Sequence, residues 1–205
     1  MHELRKIAVC AMAIAALTLG AAAAEEPVEL ETGDEAPDFA LPQHEDLVEA
    51  AEQSGEELPA KLSDLRGEKN VLLAFYPRAF TSGCTAQLCG YRDDFSRFLD
   101  ADTEVVAIST DTQEESNAFR KEYEMPFYVL GDEERAAVEA YGVPLIERDE
   151  NAFAARAVYL IDKEGRIRYI DLEYSITEDL EPLYKAMEEL AEEQRAEMET
   201  AEASE

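Results

Sequence analysis

Two cysteines, Cys84 and Cys89, stand five residues apart in the string FYPRAFTSGCTAQLCGYRDDF (75–95), and the chain's third, Cys10, lies in an apolar N-terminal run. A thiol acts as a nucleophile or metal ligand only as the thiolate, so the question is what would favour that charge. Pro77 follows a continuous apolar run and ends it, because proline has no N–H for a sheet ladder. Residues 77–83 then lead into a stretch with helical spacing, which places Cys84 in the first turn of a helix. Unpaired backbone N–H groups and the helix dipole favour negative charge there. Such a placement lowers a thiol's pKa from ~8.5 into a range of about 3.5–7.5. Gly83 permits close backbone approach to a small ligand. Thr81 offers a hydroxyl to the thiolate or to a bound oxygen, with helix capping as its plainer role.

The spacing itself constrains the pair. Zinc takes four ligands, and with His2 in the N-terminal run His44 is the only histidine left to join the two thiols, so no metal site is expected. A structural disulfide is a common fate of a cysteine pair in an exported protein. On a regular helix, however, five residues give a rise of about 7.5 Å and a turn of about 140° at a radius of ~2.3 Å, hence Cα atoms roughly 8.7 Å apart. A disulfide needs about 4.4–6.8 Å. An intact helix therefore keeps the two thiols unbridged, and a bond between them requires its first turns to unwind. Cys89 as a reduced spectator packed on the helix is the plainer reading of that residue.

The elements that must position these groups follow from periodicity. VLLAFY (71–76) and EVVAIS (104–109) are unbroken apolar runs, as expected of strands buried on both faces. Leu88, Tyr91, Phe95, Phe98 and Leu99 fall at helical spacing over 84–99. Thr112 and Glu115 form a capping box that opens a helix through Tyr123. FYVL (127–130) reads as a short strand, 133–141 as a helix stopped by Gly142, and RAVYLI–DKEG–RIRYIDL (156–172) as a hairpin. A last helix begins near Thr177 and frays into AEMETAEASE. This order predicts an α/β chain with a central mixed sheet flanked by helices and an antiparallel edge, for which the thioredoxin-like fold is the leading candidate.

Composition bounds the rest. The 205 residues carry 48 acids against 18 bases, a net charge of −30, with 46% hydrophobic residues. Phosphates would be repelled, which excludes an ordinary nucleic-acid surface. So acidic a chain suits either a high-salt setting or simple solvation. Arg5 and Lys6, an apolar run, and Ala22–Ala24 read as a signal peptide over 1–24, so the chain is expected to be exported to a bacterial periplasm, with no stable membrane insertion after cleavage. The alternative is an uncleaved anchor, since the run of about 18 residues just reaches spanning length. Residues 25–35 form an acidic extension, 36–190 one domain with an acidic insertion at about 43–60 that is solvated or a short surface helix, and 191–205 an acidic tail.

Pro77-x-x-x-Thr81-x-x-Cys84 resembles the active-site signature of the peroxiredoxins. The longer string 75–95 resembles their bacterioferritin-comigratory-protein (PrxQ) branch, as do APDFALP (36–42), LSDLRGEKNVLLAFYP (62–77), VVAIST (105–110), YGVP (141–144) and RAVYLIDKEGRIRYI (156–170). Ser82 replaces the usual proline, and the 43–60 segment is longer than expected. The resemblance implies a thiol-dependent peroxidase acting on hydrogen peroxide and organic hydroperoxides without a cofactor. Cys84 would attack the O–O bond, and Cys89 would resolve the sulfenic acid as a disulfide. Arg156 would match the catalytic arginine, and Pro77, Thr81 and Gly83 would shape the pocket. It further implies a thioredoxin-like or other thiol reductant as partner, and a monomer or weak dimer. Arg156 as a surface ion-pair partner is the plainer alternative. A thiol–disulfide oxidoreductase, or a peroxide sensor that oxidises once without turnover, are the competing functions. The former usually carries CxxC, often after a tryptophan, and this chain has neither.

Overall fold

A computed structural model describes residues 28–55, 57–176 and 180–203; the expected signal peptide lies outside them. Five strands form the main sheet: β1 (Asn70–Phe75), β2 (Thr103–Ser109), β3 (Tyr128–Gly131), β6 (Ala157–Ile161) and β7 (Ile167–Asp171), in the order β3-β2-β1-β6-β7. β1 runs parallel to β2 with Leu72 opposite Val105, and β2 parallel to β3. β6 lies antiparallel on the other side of β1 and pairs β7 as a hairpin. The sheet is mixed, as the element order predicted.

β1 is buried along its whole length, because helices cover both faces of the sheet. Leu72 and Ala74 pack with Leu88, Tyr91, Phe98, Leu183 and Met187 on one face. Val71, Leu73 and Phe75 pack with Leu62, Leu65, Val138, Tyr141 and Tyr159 on the other. The first layer is built by α2 (Ser82–Asp93), α3 (Phe95–Asp100), α4 (Gln113–Glu122) and α6 (Glu181–Glu202), the second by a 3-10 turn (Leu62–Leu65) and α5 (Ala136–Ala140). Each fully buried large apolar side chain contributes about 1.5–3 kcal/mol, so the strand that precedes the cysteine loop is among the most firmly held parts of the molecule.

Several expectations are corrected. The helix expected over 84–99 breaks at Asp94 into α2 and α3, and Leu99, expected on its apolar face, is 60% exposed. The helix expected over 133–141 begins only at Ala136, because Arg135 sits in the left-handed region at φ 62°. Its stop is as read: Gly142 has φ 61°, and a Cβ there would meet the Val28 carbonyl oxygen at 2.0 Å. The expected last-helix start near Thr177 lies outside the described residues; the helix opens at Glu181 and, instead of fraying, runs to Glu202. The sequence pattern gave no sign of the hairpin of β4 (Leu145–Arg148) and β5 (Asn151–Ala154).

The acidic insertion contains a helix, α1 (Glu45–Ser54), with no buried residue of its own. It docks through half-buried Leu47, which packs against the core on the Val71, Leu73 and Phe75 side, and through two polar contacts. The Val129 N–H on edge strand β3 donates to His44 Nε2 at 3.1 Å, and Arg120 Nη1 donates to Asp46 at 2.6 Å. The insertion thereby covers part of a sheet edge that would otherwise present unpaired N–H groups. Among the described residues, no helix is long and apolar enough to cross a membrane.

Candidate active site

The loop after β1 is fixed before it reaches the cysteine. Tyr76 N donates to the Ile108 carbonyl at 2.9 Å, holding the strand end against β2. Asp111, nearly buried, accepts from Ala79 N at 2.7 Å and from Ser109 Oγ at 2.9 Å. Phe80 follows in the left-handed region at φ 57°. Its ring is 52% exposed and packs edge-on against Phe119 at 5.0 Å, with Tyr123 alongside. A non-glycine residue in that region costs roughly 1–3 kcal/mol, which the aromatic packing helps to offset.

Thr81 is the N-cap of α2, so Cys84 occupies the third helical position, within the first turn. The N–H groups of Ser82, Gly83 and Cys84 have no intrahelical acceptor there. Thr81 is exposed and its hydroxyl donates to the Arg78 carbonyl at 3.1 Å rather than to sulfur. Pro77 is half-buried at the strand exit. Cys84 is 1% exposed and Cys89 partly exposed, both as free thiols on the same helix.

Arg156 enters from the residue before β6 and reaches across the sheet end. Its Nη2 donates to Cys84 Sγ at 3.3 Å, and its Nη1 donates to Gln87 Oε1. Among the described residues, no carboxylate lies within ion-pair distance of this guanidinium. In a chain with 48 acids, a partly buried arginine facing a thiol and an amide is a directed charge. Gly83 makes room for it: a Cβ there would stand 2.9 Å from Nη2 and 3.2 Å from the Ile176 Cδ1. The close neighbours of Gly83 in the structure are thus Arg156 and Ile176. The structure brings Cys84, Gly83 and Arg156 together, leaves Thr81 and Pro77 on the loop beside them, and puts Cys89 further along α2.

Sequence reasoning missed Gln87. It is 4% exposed, one turn after Cys84. A polar residue three positions from the thiol, on a face otherwise set by Leu88 and Tyr91, was the available signal. Its Nε2 donates to Tyr91 Oη at 3.3 Å, and Tyr91 Oη donates to Tyr174 Oη at 2.9 Å. Among the described residues, no group of three or more His, Cys, Asp or Glu could hold a metal ion. What the arrangement offers is a nearly buried sulfur beside a fixed cation and the open N–H groups of a helix start, which together favour an anionic nucleophile and developing oxyanion charge.

Comparison with known proteins agrees with this chemistry. The AhpC/TSA family pattern matches residues 32–170. Peroxiredoxin Bcp of Bacillus subtilis (strain 168) is 34% identical over 142 residues, covering 67% of this chain and 82% of that protein. Peroxiredoxin Bcp of Escherichia coli (strain K12) is 35% identical over 148 residues, covering 69% and 85%. The crystal structure of peroxidoxin BcpB from Mycobacterium tuberculosis matches with a TM-score of 0.64 at 26% identity, covering 79% of this chain and 99% of that one. With a family match over most of its length and a thiol–guanidinium pair on a thioredoxin-like fold, the chain belongs to the AhpC/TSA family and is a peroxiredoxin.

Proposed function

We propose that the chain reduces hydrogen peroxide and organic hydroperoxides through Cys84, with Cys89 resolving the oxidised sulfur. The observation that carries this reading is the Arg156 guanidinium 3.3 Å from Cys84 Sγ, with no carboxylate among the described residues competing for it. The Cys84 thiolate attacks the terminal peroxide oxygen and the O–O bond breaks. The sulfur loses two electrons and becomes a sulfenic acid, while the leaving RO⁻ takes a proton to become alcohol or water. Arg156 and the N–H groups of Gly83 and Cys84 stabilise the thiolate and the charge that develops on the peroxide oxygens. Pro77 shields the thiol, and the Thr81 hydroxyl turns from the Arg78 carbonyl to a bound peroxide oxygen.

The Cys89 thiolate then attacks the Cys84 sulfenic sulfur. An S–S bond forms, the S–O bond breaks, and the hydroxyl leaves as water after protonation. Two electrons from a thioredoxin-like or other dithiol reductant restore both thiols. Because both cysteines lie on α2, resolution requires local unwinding of that helix. The chemistry needs no cofactor. The basic, apolar and small-residue N-terminal segment supports export to a periplasm, and a monomer or weak dimer is the working form.

Single-turnover oxidation followed by mass spectrometry tests the division of labour. Cys89→Ser should still gain one oxygen on Cys84 but accumulate as a sulfenic acid or intermolecular adduct. An unaltered chain that accumulates the Cys84 sulfenic acid just as Cys89→Ser does, with no Cys84–Cys89 disulfide, would refute the resolving role.

A further inference from the structure

The segment that leaves β7, residues 172–176, touches α2 at two places. Ile176 lies against Gly83 in the helix's first turn, and Tyr174, 7% exposed, meets Tyr91 in its third. Cys89 lies between these contacts in sequence. The hydrogen bonds connecting them are fixed in direction by Arg156. A guanidinium only donates, so the Gln87 oxygen must face it and the Gln87 amide NH₂ must face Tyr91. Tyr91 therefore accepts from Gln87 and gives its own proton to Tyr174. Burial raises the pKa of both tyrosines, so both hydroxyls stay protonated and available for this pattern.

Resting on the two-cysteine reading above, we propose that Tyr174 is a positioning residue that latches α2 in its folded form through Tyr91, so that it sets how fast Cys89 can reach oxidised Cys84. While Cys84 is reduced, the chain Cys84–Arg156–Gln87–Tyr91–Tyr174 is complete and the helix stays wound. Resolution must move Cys89 toward Cys84, which pulls on Tyr91 two residues beyond and requires its bond to Tyr174 to break. The latch therefore sets a competition. A sulfenic acid that waits for Cys89 can be attacked by a second peroxide: its sulfur loses two more electrons, the second O–O bond breaks, RO⁻ leaves and is protonated, and the product is a sulfinic acid that thiols do not reduce. A tight latch favours that loss, and a loose one favours the disulfide.

The test deletes one oxygen. Tyr174→Phe in the full chain keeps the ring and removes the hydrogen bond. The net strength of such a bond corresponds to roughly a two- to tenfold change in the unwound population, so disulfide should form about that much faster after a single oxidation. Over a peroxide titration, the sulfinic fraction at Cys84, read by mass spectrometry, should fall by a similar factor. Tyr141→Phe is the control: it also removes a tyrosine hydroxyl bond, to the Pro37 carbonyl at 2.8 Å, but on the opposite face of the sheet. It should leave the partition unchanged even where it lowers the melting temperature as much. An unchanged partition in Tyr174→Phe, or an equal change in Tyr141→Phe, overturns the latch. Failure of Cys84 to oxidise in the unaltered chain overturns the functional reading beneath it, and is seen in the same spectra.

Discussion

Replacing Arg156 by alanine removes the cation that lies 3.3 Å from the Cys84 sulfur and the donor that occupies Gln87 Oε1. Two unit charges at that separation interact by about 5 kcal/mol at an effective dielectric of ~20, which is a ceiling because the site is only partly dry. The usual net value of a hydrogen bond to a charged group, about 1.5–3 kcal/mol, is the better guide. At about 1.36 kcal/mol per factor of ten in rate, peroxide attack should slow by roughly ten- to a hundredfold. The loss is not total, because the open N–H groups at the start of α2 remain. Arg156→Lys should recover part of it, since a single ammonium can face the sulfur but cannot also reach Gln87 in the same planar fork. The assay is single-turnover oxidation of Cys84 in the Cys89→Ser background, quenched and weighed by mass spectrometry at neutral pH. A surface ion pair would instead be worth about 0–1 kcal/mol of stability and nothing in rate. An Arg156→Ala chain that folds and oxidises Cys84 at the unaltered rate would refute the reasoning.

Gly83→Ala should slow peroxide attack while leaving the melting temperature level or higher: alanine is the better helix former, but its Cβ would stand 2.9 Å from Arg156 Nη2. Unchanged kinetics would mean that the guanidinium moves aside without cost. On oxidation to the disulfide, amides over 84–91 should lose hydrogen-exchange protection while those of β1 keep it, and equal protection of 84–91 in both redox states would contradict the unwinding step. His44 has its pKa lowered to about 4, by burial first and by the nearby Arg120 charge. A depressed histidine adds stability that is whole above the unfolded value of about 6.5 and lost as pH falls through about 4, here up to about 3 kcal/mol. Denaturant melts between pH 7.5 and 4 should show this slope in the unaltered chain and a shallower one in His44→Gln, whose amide oxygen can still accept from Val129 N–H; identical slopes would refute it.

What was legible in the sequence is what local pattern can encode. β1 could be read because burial on both faces demands an unbroken apolar run, and the start of α4 because Thr112 and Glu115 cap it reciprocally, as the structure shows. The loop-to-helix position of Cys84 followed from Pro77 and the spacing of Leu88 and Tyr91. The break at Asp94 was hidden because apolar spacing continues across it from Tyr91 to Phe95 and Phe98. β4 gave no alternation because all four of its residues are exposed. Acid-rich alanine and glutamate sequence read as a fraying tail, yet those are good helix formers, and α6 continues to Glu202. Contacts between distant segments were out of reach of any local pattern. His44 on Val129, Arg120 on Asp46 and Tyr174 on Tyr91 span 85, 74 and 83 positions.

The central claim is that Cys84 is the peroxide-reducing thiol, and the most direct measurement is peroxide consumption by the purified chain with dithiothreitol as electron donor, compared with Cys84→Ser. The account expects repeated turnover in the unaltered chain and a Cys84→Ser rate no faster than peroxide with dithiothreitol alone. A Cys84→Ser chain that still consumes peroxide at the unaltered rate would contradict it.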